Sequence, residues 1–277
     1  MTDVVAETVL PKLDSDYPVK PAEIASFQSN GHVVLRGVAS AAEITAYEPA
    51  LTATVRAHNP NQKKLEDRDT YGKAFIQIGN LWKKDAVCRK FVFARRFAKI
   101  AADLMGVRDV RLYHDQALYK EAHGGFTPLH QDQFYWPLDT PNTITMWMPL
   151  VDASAEMGTM HFASGSYRGR SVGNFEISDT SEQIFRDHIH SHNYPLTSTG
   201  AMRAGDATFH YGWTIHGAPV NSTDRMRNVM TIIYFADGAR VSEPKNTPQS
   251  YDLKFWLPGL KPGDIAATEL NPLLYER

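Results

Sequence analysis

Pro128-Leu-His-Gln-Asp-Gln-Phe-Tyr135 is the stretch on which the reading of this chain turns. On an extended backbone, residues two apart point to the same side, so the His130 imidazole and the Asp132 carboxylate can reach one ion. A His-x-Asp triplet alone is commonly a hydrogen-bonded surface pair, and a firmly held ion needs a third ligand. Trp213-Thr-Ile-His-Gly217 offers it. His216 follows a strand pattern over Asp206 to His210 and a Gly turn, far enough downstream to arrive from a different strand of the same barrel. Two His and one carboxylate, with the remaining positions open, make the facial triad that suits non-haem Fe(II) and its chemistry with oxygen. A catalytic zinc also uses such a set, but no His-Glu-x-x-His helix occurs in the sequence.

Arg227 stands eleven residues after His216, across the turn Asn221-Ser-Thr-Asp224 and at the head of the apolar stretch Asn228 to Phe235. A guanidinium entering a buried strand must find an anion, because leaving it unpaired is costly. Two sources are open: an Asp on a neighbouring strand, or a bound dicarboxylate. Strand parity puts Arg225 on the same face, where it could serve as the anion clamp instead.

Outward from these residues, short strand patterns separated by Gly, Pro, Asn and Asp cover Val110 to Lys120, Thr143 to Val151, Thr159 to Ala163 and Val229 to Phe235. Upstream the texture is helical. Pro21 to Gln28 reads as a helix opened by Pro and closed near Gly31, followed by the strand His32 to Arg36. Ser40-Ala-Ala-Glu43 is a capping box, opening a helix to about His58 with a kink at Pro49. From Lys84 to Met105 apolar residues recur at helical spacing up to Gly106. Helices that lead and strands that follow predict a mainly β fold with flanking α-helices, a helical flank packed on an antiparallel sandwich or barrel. The expected organisation is one domain over 1–277, with a loosely attached leader (1–20), a helical flank (21–106), a β core (107–240) and a wrapping tail of little regular structure (241–277). Ser171 to Pro195 reads as an irregular insertion.

Composition excludes several classes. With 277 residues, 43% hydrophobic and 22% charged, the chain can bury an ample core. Its 29 Lys and Arg against 31 Asp and Glu, a net charge of -2, give no bulk attraction to nucleic acid or an anionic membrane. No apolar run approaches the roughly 18 residues of a membrane span, and Met1 to Lys20 lacks the pattern of a secretory signal. The single cysteine, Cys88, forms no internal disulfide and fits a reducing, cytoplasmic setting.

The triplet, then Trp147-Met-Pro-Leu-Val-Asp152, Gly158-Thr-Met-His-Phe-Ala-Ser-Gly-Ser166, His216-Gly217, Asn221 and Arg227 together resemble the phytanoyl-CoA dioxygenase family of Fe(II)/2-oxoglutarate oxygenases. The resemblance runs from about Pro21 to Asp237. It implies a double-stranded β-helix (jelly roll), iron held by His130, Asp132 and His216, and 2-oxoglutarate chelating that iron with its distal carboxylate on Arg227. Trp147 and Gln116 are implied to line the co-substrate pocket. The implied reaction uses O₂ to oxidise a C–H bond of a small molecule and releases succinate and CO₂. A carboxylate at Asp132 argues for hydroxylation or a related oxidation over halogenation, since related halogenases carry a small residue there. The family's usual Pro-Gly-Ser-His turn is Ser164-Gly-Ser-Tyr167 here. Phe134, Tyr135 and Trp136 after the metal motif, and Trp213 before the distal His, suggest an aromatic pocket for an apolar or ring-containing substrate. A non-oxidative jelly-roll protein or hydrolase, using zinc or nickel at the same three ligands, is the alternative.

Other features have simpler readings. His188, His190 and His192 alternate, so on a strand all three would face one way, as a second metal site or as chance histidines on a solvated loop. His210 and His161 read as core residues that could also line the pocket. Arg89, Lys90, Arg95, Arg96 and Lys99 read as the wet side of the long helix.

Overall fold

The computed structural model describes residues 10–61 and 63–277; residues 1–9 of the expected leader lie outside them. Helix α1 (Pro21–Asn30) opens with Pro21 and closes at Gly31 in the left-handed region (φ 80°), delivering the chain into β1 (His32–Leu35). Helix α2 (Ala41–His58) begins at the expected capping box, Ser40 with Glu43, and runs on through Pro49. Helix α3 (Thr70–Ala74) and strand β2 (Ile76–Gly79) follow. The single helix expected to Met105 is two. Asp85 accepts hydrogen bonds from the Val87 and Cys88 amides to start α4 (Ala86–Val92), and α5 (Arg95–Met105) starts afresh after Phe93-Ala94. That break corrects the reading of Arg96 as solvated. It is buried and donates from both Nη atoms to the Glu43 carboxylate, each at 2.9 Å, and to the Val38 carbonyl.

The remaining strands are β3 (Val110–Tyr119), β4 (Thr127–His130), β5 (Thr143–Pro149), β6 (His161–Ala163), β7 (Leu196–Ser198), β8 (Ala207–Tyr211), β9 (His216–Ala218), β10 (Val229–Ala236) and β11 (Leu273–Tyr275). The larger sheet runs β1-β8-β5-β10-β3-β11, with β2 also paired to β3; the smaller runs β4-β9-β6-β7. Every strand pair is antiparallel. The sheets meet face to face where Trp147 and Val229 of the larger pack on Phe162 and Ala218 of the smaller. This is the jelly roll with a helical flank that the sequence predicts.

Strand β10 is apolar along almost its whole length because both of its faces are covered. Met230, Ile232 and Tyr234 join Ile144, Met146, Met148 and Phe209 in the core shared with the helices. Residues of the other parity face inward. Cross-strand register therefore places His114, Ile233, Thr145, His210 and His32 in one row across the inner face of the larger sheet.

Three regions depart from expectation. Ser171 to Pro195 contains a helix, α6 (Asp179–Ser191), capped by Ser178. His188 lies beside His192 at the helix end, ring centroids 4.0 Å apart and tilted, while His190 points elsewhere, so the three histidines do not share a face. The tail contains α7 (Thr247–Trp256), capped by Asn246, and β11 pairs with β3. Pro248 sits in the first turn of α7, where a proline is tolerated, so it does not break the helix. The described part of the leader is docked rather than loose: Leu13 is buried and its carbonyl accepts from the Arg96 amide, while the Pro11 carbonyl accepts from the Tyr47 hydroxyl. No helix among the described residues is long and apolar enough to cross a membrane.

Candidate metal centre and its cavity

Pairing of β4 with β9 sets His130 directly opposite His216, ring centroids 4.2 Å apart. Each imidazole is fixed by its own chain two residues back: Nδ1 of His130 lies 2.8 Å from the Pro128 carbonyl and Nδ1 of His216 lies 2.9 Å from the Thr214 carbonyl. A carbonyl can only accept, so both Nδ1 atoms carry the proton and both Nε2 lone pairs are left free. Gln131 anchors the next step. Its Nε2 donates to the Arg170 and Trp213 carbonyls and its Oε1 accepts from the Val172 amide, after which the chain turns into a short 3-10 helix that begins at Asp132. The turn brings the Asp132 carboxylate back, Oδ1 lying 3.5 Å from His130 Nε2 and 3.6 Å from His216 Nε2.

Oδ2 of the same carboxylate is already engaged, accepting from the Thr145 hydroxyl at 2.8 Å and from His210 Nε2 at 3.2 Å. Asp132 therefore offers one oxygen to the centre, and the three ligand atoms lie within 4.8 Å of one another. Burial would raise the Asp132 carboxyl, but the surrounding imidazoles, His216 first, then His130 and His210, hold it well below the usual range. Burial, with His130 and His210 adjoining, keeps His216 neutral. A deprotonated carboxylate and two imidazoles whose Nδ1 atoms are engaged by backbone carbonyls, leaving Nε2 turned to the centre, suit a first-row divalent metal, so the residues fit the group the triad implies.

A cavity of about 620 Å³ opens from this centre. At its inner end Arg227 is 1% exposed, and its guanidinium lies 5.1 Å from the Trp147 ring. Nη1 donates to the Gly158 carbonyl, but Nε has no partner, and among the described residues no carboxylate lies within ion-pair distance. The Asp partner left open by the sequence is therefore not there. Burial pulls Arg227 down to about 9, which leaves it a cation at neutral pH. Arg225, expected on the same face, is instead exposed in the preceding turn, its carbonyl accepting from Asn221. Gly158 sits at φ 76°, and a Cβ there would come within 2.4 Å of the Pro219 carbonyl oxygen, so only glycine presents that carbonyl to Arg227.

Gln116 lies in the same row as Thr231 and Trp147 and lines the cavity. Its amide is shared, Oε1 accepting from Gln77 and Nε2 lying 3.3 Å from His114 Nδ1. Burial outweighs the nearby Asp132 and brings His114 down to about 4, so it is neutral. Of the four aromatic residues expected around the substrate, Tyr135 and Trp136 line the cavity; Phe134 and Trp213 do not. The 3-10 turn carries Phe134 away, and its carbonyl instead accepts from Asn246 and Gln249, fastening α7. Trp213 contributes the carbonyl that holds Gln131. The outer wall comes from Tyr71 of α3 and Phe75 at its end, and from Pro248, Tyr251, Asp252 and Trp256 of α7. Sequence spacing carries no sign of these, nor of the Thr145 and His210 contacts, because they depend on sheet register and on how the tail folds back.

The phytanoyl-CoA dioxygenase (PhyH) family model matches residues 27–229. The chain belongs to that family. No curated protein matches it in sequence. Among solved structures, this PhyH-family chain is similar to the non-haem epimerase SnoN of nogalamycin biosynthesis, in complex with Fe³⁺, α-ketoglutarate and nogalamycin RO (24% identity, 92% of this chain and 98% of that one, TM-score 0.74). It is also similar to the α-ketoglutarate-dependent carbocyclase SnoK of the same biosynthesis (25% identity, 92% and 96%, TM-score 0.73). EctD from S. alaskensis, with 2-oxoglutarate and 5-hydroxyectoine, matches at 18% identity over 84% and 83% with a TM-score of 0.64. The fold is that of the iron and 2-oxoglutarate enzymes, and the His-Asp-His metal site lies within it.

Proposed function

We propose that this chain is a single-domain Fe(II)- and 2-oxoglutarate-dependent oxygenase that oxidises a C–H bond of a small, ring-containing metabolite, with release of succinate and CO₂. The observation that carries the reading is Arg227, a buried cation without a carboxylate, at the inner end of the cavity that holds the triad. A zinc or nickel hydrolase with the same three ligands has no use for it, whereas a co-substrate with a second carboxylate supplies its missing charge.

Iron bound with 2-oxoglutarate and O₂ supplies the oxidising power for C–H cleavage. His130, Asp132 and His216 would hold the ion, the three protein ligands the triad supplies. Arg227 binds the distal carboxylate, and the Trp147 ring covers that guanidinium and keeps water from it. Gln116, held by Gln77 and His114, lines the cavity in the same row as Trp147. Tyr135 and Trp136 wall the substrate side. Because Thr145 and His210 engage Oδ2, Asp132 would hold the ion through its other oxygen.

The outer cavity suits a neutral, ring-bearing molecule. Tyr71, Tyr135, Trp136, Tyr251 and Trp256 give it aromatic walls, Gln77 and Gln116 give it amides, and Arg227 is the one Lys or Arg among its described lining residues. An anionic substrate would find no counter-charge there. The buried Cys88 thiol fits a cytoplasmic setting.

The test is anaerobic. The protein with Fe(II) and 2-oxoglutarate should show the weak visible absorption of their chelate, and His130→Ala should abolish it. An identical spectrum from both proteins, or a protein that holds zinc and never converts 2-oxoglutarate to succinate, overturns the reading.

A further inference from the structure

Resting on the reading of this cavity as a substrate chamber, we propose that Asp252 of α7 selects the substrate: Tyr113 steadies its carboxylate, and the oxygen left over accepts a hydrogen bond from a hydroxyl on the substrate's ring. Asp252 lies mid-helix, is 7% exposed and lines the cavity. Its described donors are the Tyr113 hydroxyl, 2.8 Å from Oδ2, and the Trp256 indole one turn on. Both are neutral. Among the described residues no cation lies within ion-pair distance of this carboxylate. A carboxylate accepts about four hydrogen bonds, so lone pairs remain for a ligand in the cavity.

Strand β3 is built to hold Asp252. Ile233 of β10 faces His114 and Tyr234 faces Leu112, so Tyr113 has no residue opposite it. That extra residue is a β-bulge, a device that re-aims a side chain beside a site. It lets two consecutive residues serve the same side of the sheet. Tyr113 packs with Trp136 and Phe235, ring centroids 5.5 and 6.1 Å away, which fixes its hydroxyl under α7. His114 carries the Trp256 ring, with centroids 4.5 Å apart. Gly79 leaves space for that ring, since a Cβ there would lie 3.1 Å from Trp256 Cη2.

Docking the helix does not require an acid. Asn246 and Gln249 already fasten α7 to the Phe134 carbonyl, and an Asn at 252 would take the same Tyr113 hydrogen bond through its carbonyl. Burial raises the Asp252 carboxyl to about 7, so a carboxylate here is unfavourable in the empty protein. What the acid provides and an amide does not is a second oxygen that only accepts. On a neutral ring the matching donor is a hydroxyl. A ketone or ether oxygen would meet that carboxylate with nothing to donate, and a site built for a substrate hydroxyl rejects the analogue that lacks it. Asp252 is the contact in this arrangement and Tyr113 the positioning residue.

Calorimetry on the anaerobic full chain with Fe(II) and 2-oxoglutarate tests this at pH 8, once the chelate absorption has been recorded. The probes are 2-tetralol, 2-indanol and 4-phenylcyclohexanol, each against its ketone. In at least one pair wild type should bind the alcohol about tenfold or more tighter, the gain from one hydrogen bond to a charged acceptor. Asp252→Asn keeps the Tyr113 bond but turns an amide N–H to the cavity, so it should reverse the preference and favour the ketone by about threefold. Tyr113→Phe, which frees the carboxylate, should cut the wild-type preference to about threefold.

A reversal is not what a helix-docking role would produce. Equal losses for alcohol and ketone in Asp252→Asn, or a preference identical to wild type, overturn the inference. Chelate absorption in wild type without an alcohol preference in any pair, or with no probe bound, overturns it and leaves the co-substrate reading standing. Absence of the chelate absorption overturns that reading and the inference with it. If Asp252→Asn does not fold, Tyr113→Phe decides the matter, and an undiminished preference there overturns the inference.

Discussion

Replacing Thr145 by Val removes one oxygen and little volume from the metal centre. The site is on β5, where a β-branched residue is favoured, so the strand and its register should persist. What is lost is the hydroxyl that donates to Asp132 Oδ2 at 2.8 Å; His210 remains as the second donor at 3.2 Å. A hydrogen bond to a charged acceptor is worth about 1.5–3 kcal/mol, and the surviving donor argues for the low end. About 1.5 kcal/mol is roughly tenfold in a dissociation constant, within the range of about 10- to 100-fold seen when partners of metal ligands are removed. Anaerobic Fe(II) titration against a competing chelator should therefore show Thr145→Val binding about tenfold more weakly and Thr145→Ser matching wild type. If Thr145→Val binds Fe(II) within about twofold of wild type, Oδ2 does not need the hydroxyl, and the account of Asp132 as a carboxylate oriented by its outer contacts fails.

Arg227→Met should weaken 2-oxoglutarate by about 100-fold or more with Fe(II) affinity unchanged, and should raise the melting temperature of the co-substrate-free protein by about 2 °C or more, because an uncompensated buried cation is gone; calorimetry and thermal melts check both. Gly158→Ala, at φ 76° and facing the Pro219 carbonyl, should cost about 2 kcal/mol or more in denaturant unfolding and weaken 2-oxoglutarate as well. Asp252 is raised by burial to about 7, while it donates nothing and accepts from the Tyr113 hydroxyl. Its folded pKa lies above the unfolded value of about 3.9, so its contribution is fully present in acid and is lost as pH rises toward 7. Asp252→Asn should accordingly lose about 2 kcal/mol less stability than wild type between pH 4.5 and 8, and parallel pH profiles for the two proteins would refute that assignment.

The parts of the molecule legible in the sequence are those written in short-range spacing. His130 and Asp132 announce themselves by their separation, Ser40 and Glu43 by the capping box, and β10 by an unbroken apolar run that both faces can bury. Arg227 is legible as a cation that must find an anion, although only the structure removes the Asp alternative. Arg225, on the same parity, is misplaced because pairing with the β3 side begins only at Arg227, opposite Lys120, and Arg225 stays in the preceding turn. Long-range register is not written locally. Thr145 and His210 reach Asp132 only because β5 and β8 pair with those residues opposite each other. Prolines in the tail read as breakers, yet Pro248 lies where a helix accepts one, and the aromatic wall it introduces was invisible for that reason.

Helix α7 has a consequence for how this scaffold could be retargeted. Four residues that face the substrate side, Pro248, Tyr251, Asp252 and Trp256, occupy a ten-residue segment near the carboxyl end, whereas every ligand of the proposed iron lies before residue 217. One whole wall of the substrate side is thus encoded apart from the metal ligands, while Tyr135 and Trp136 stay with the motif that carries Asp132. Exchanging the last thirty or so codons with those of a relative amounts to swapping a cassette, one that remodels this wall of the cavity while the His-Asp-His site is inherited intact.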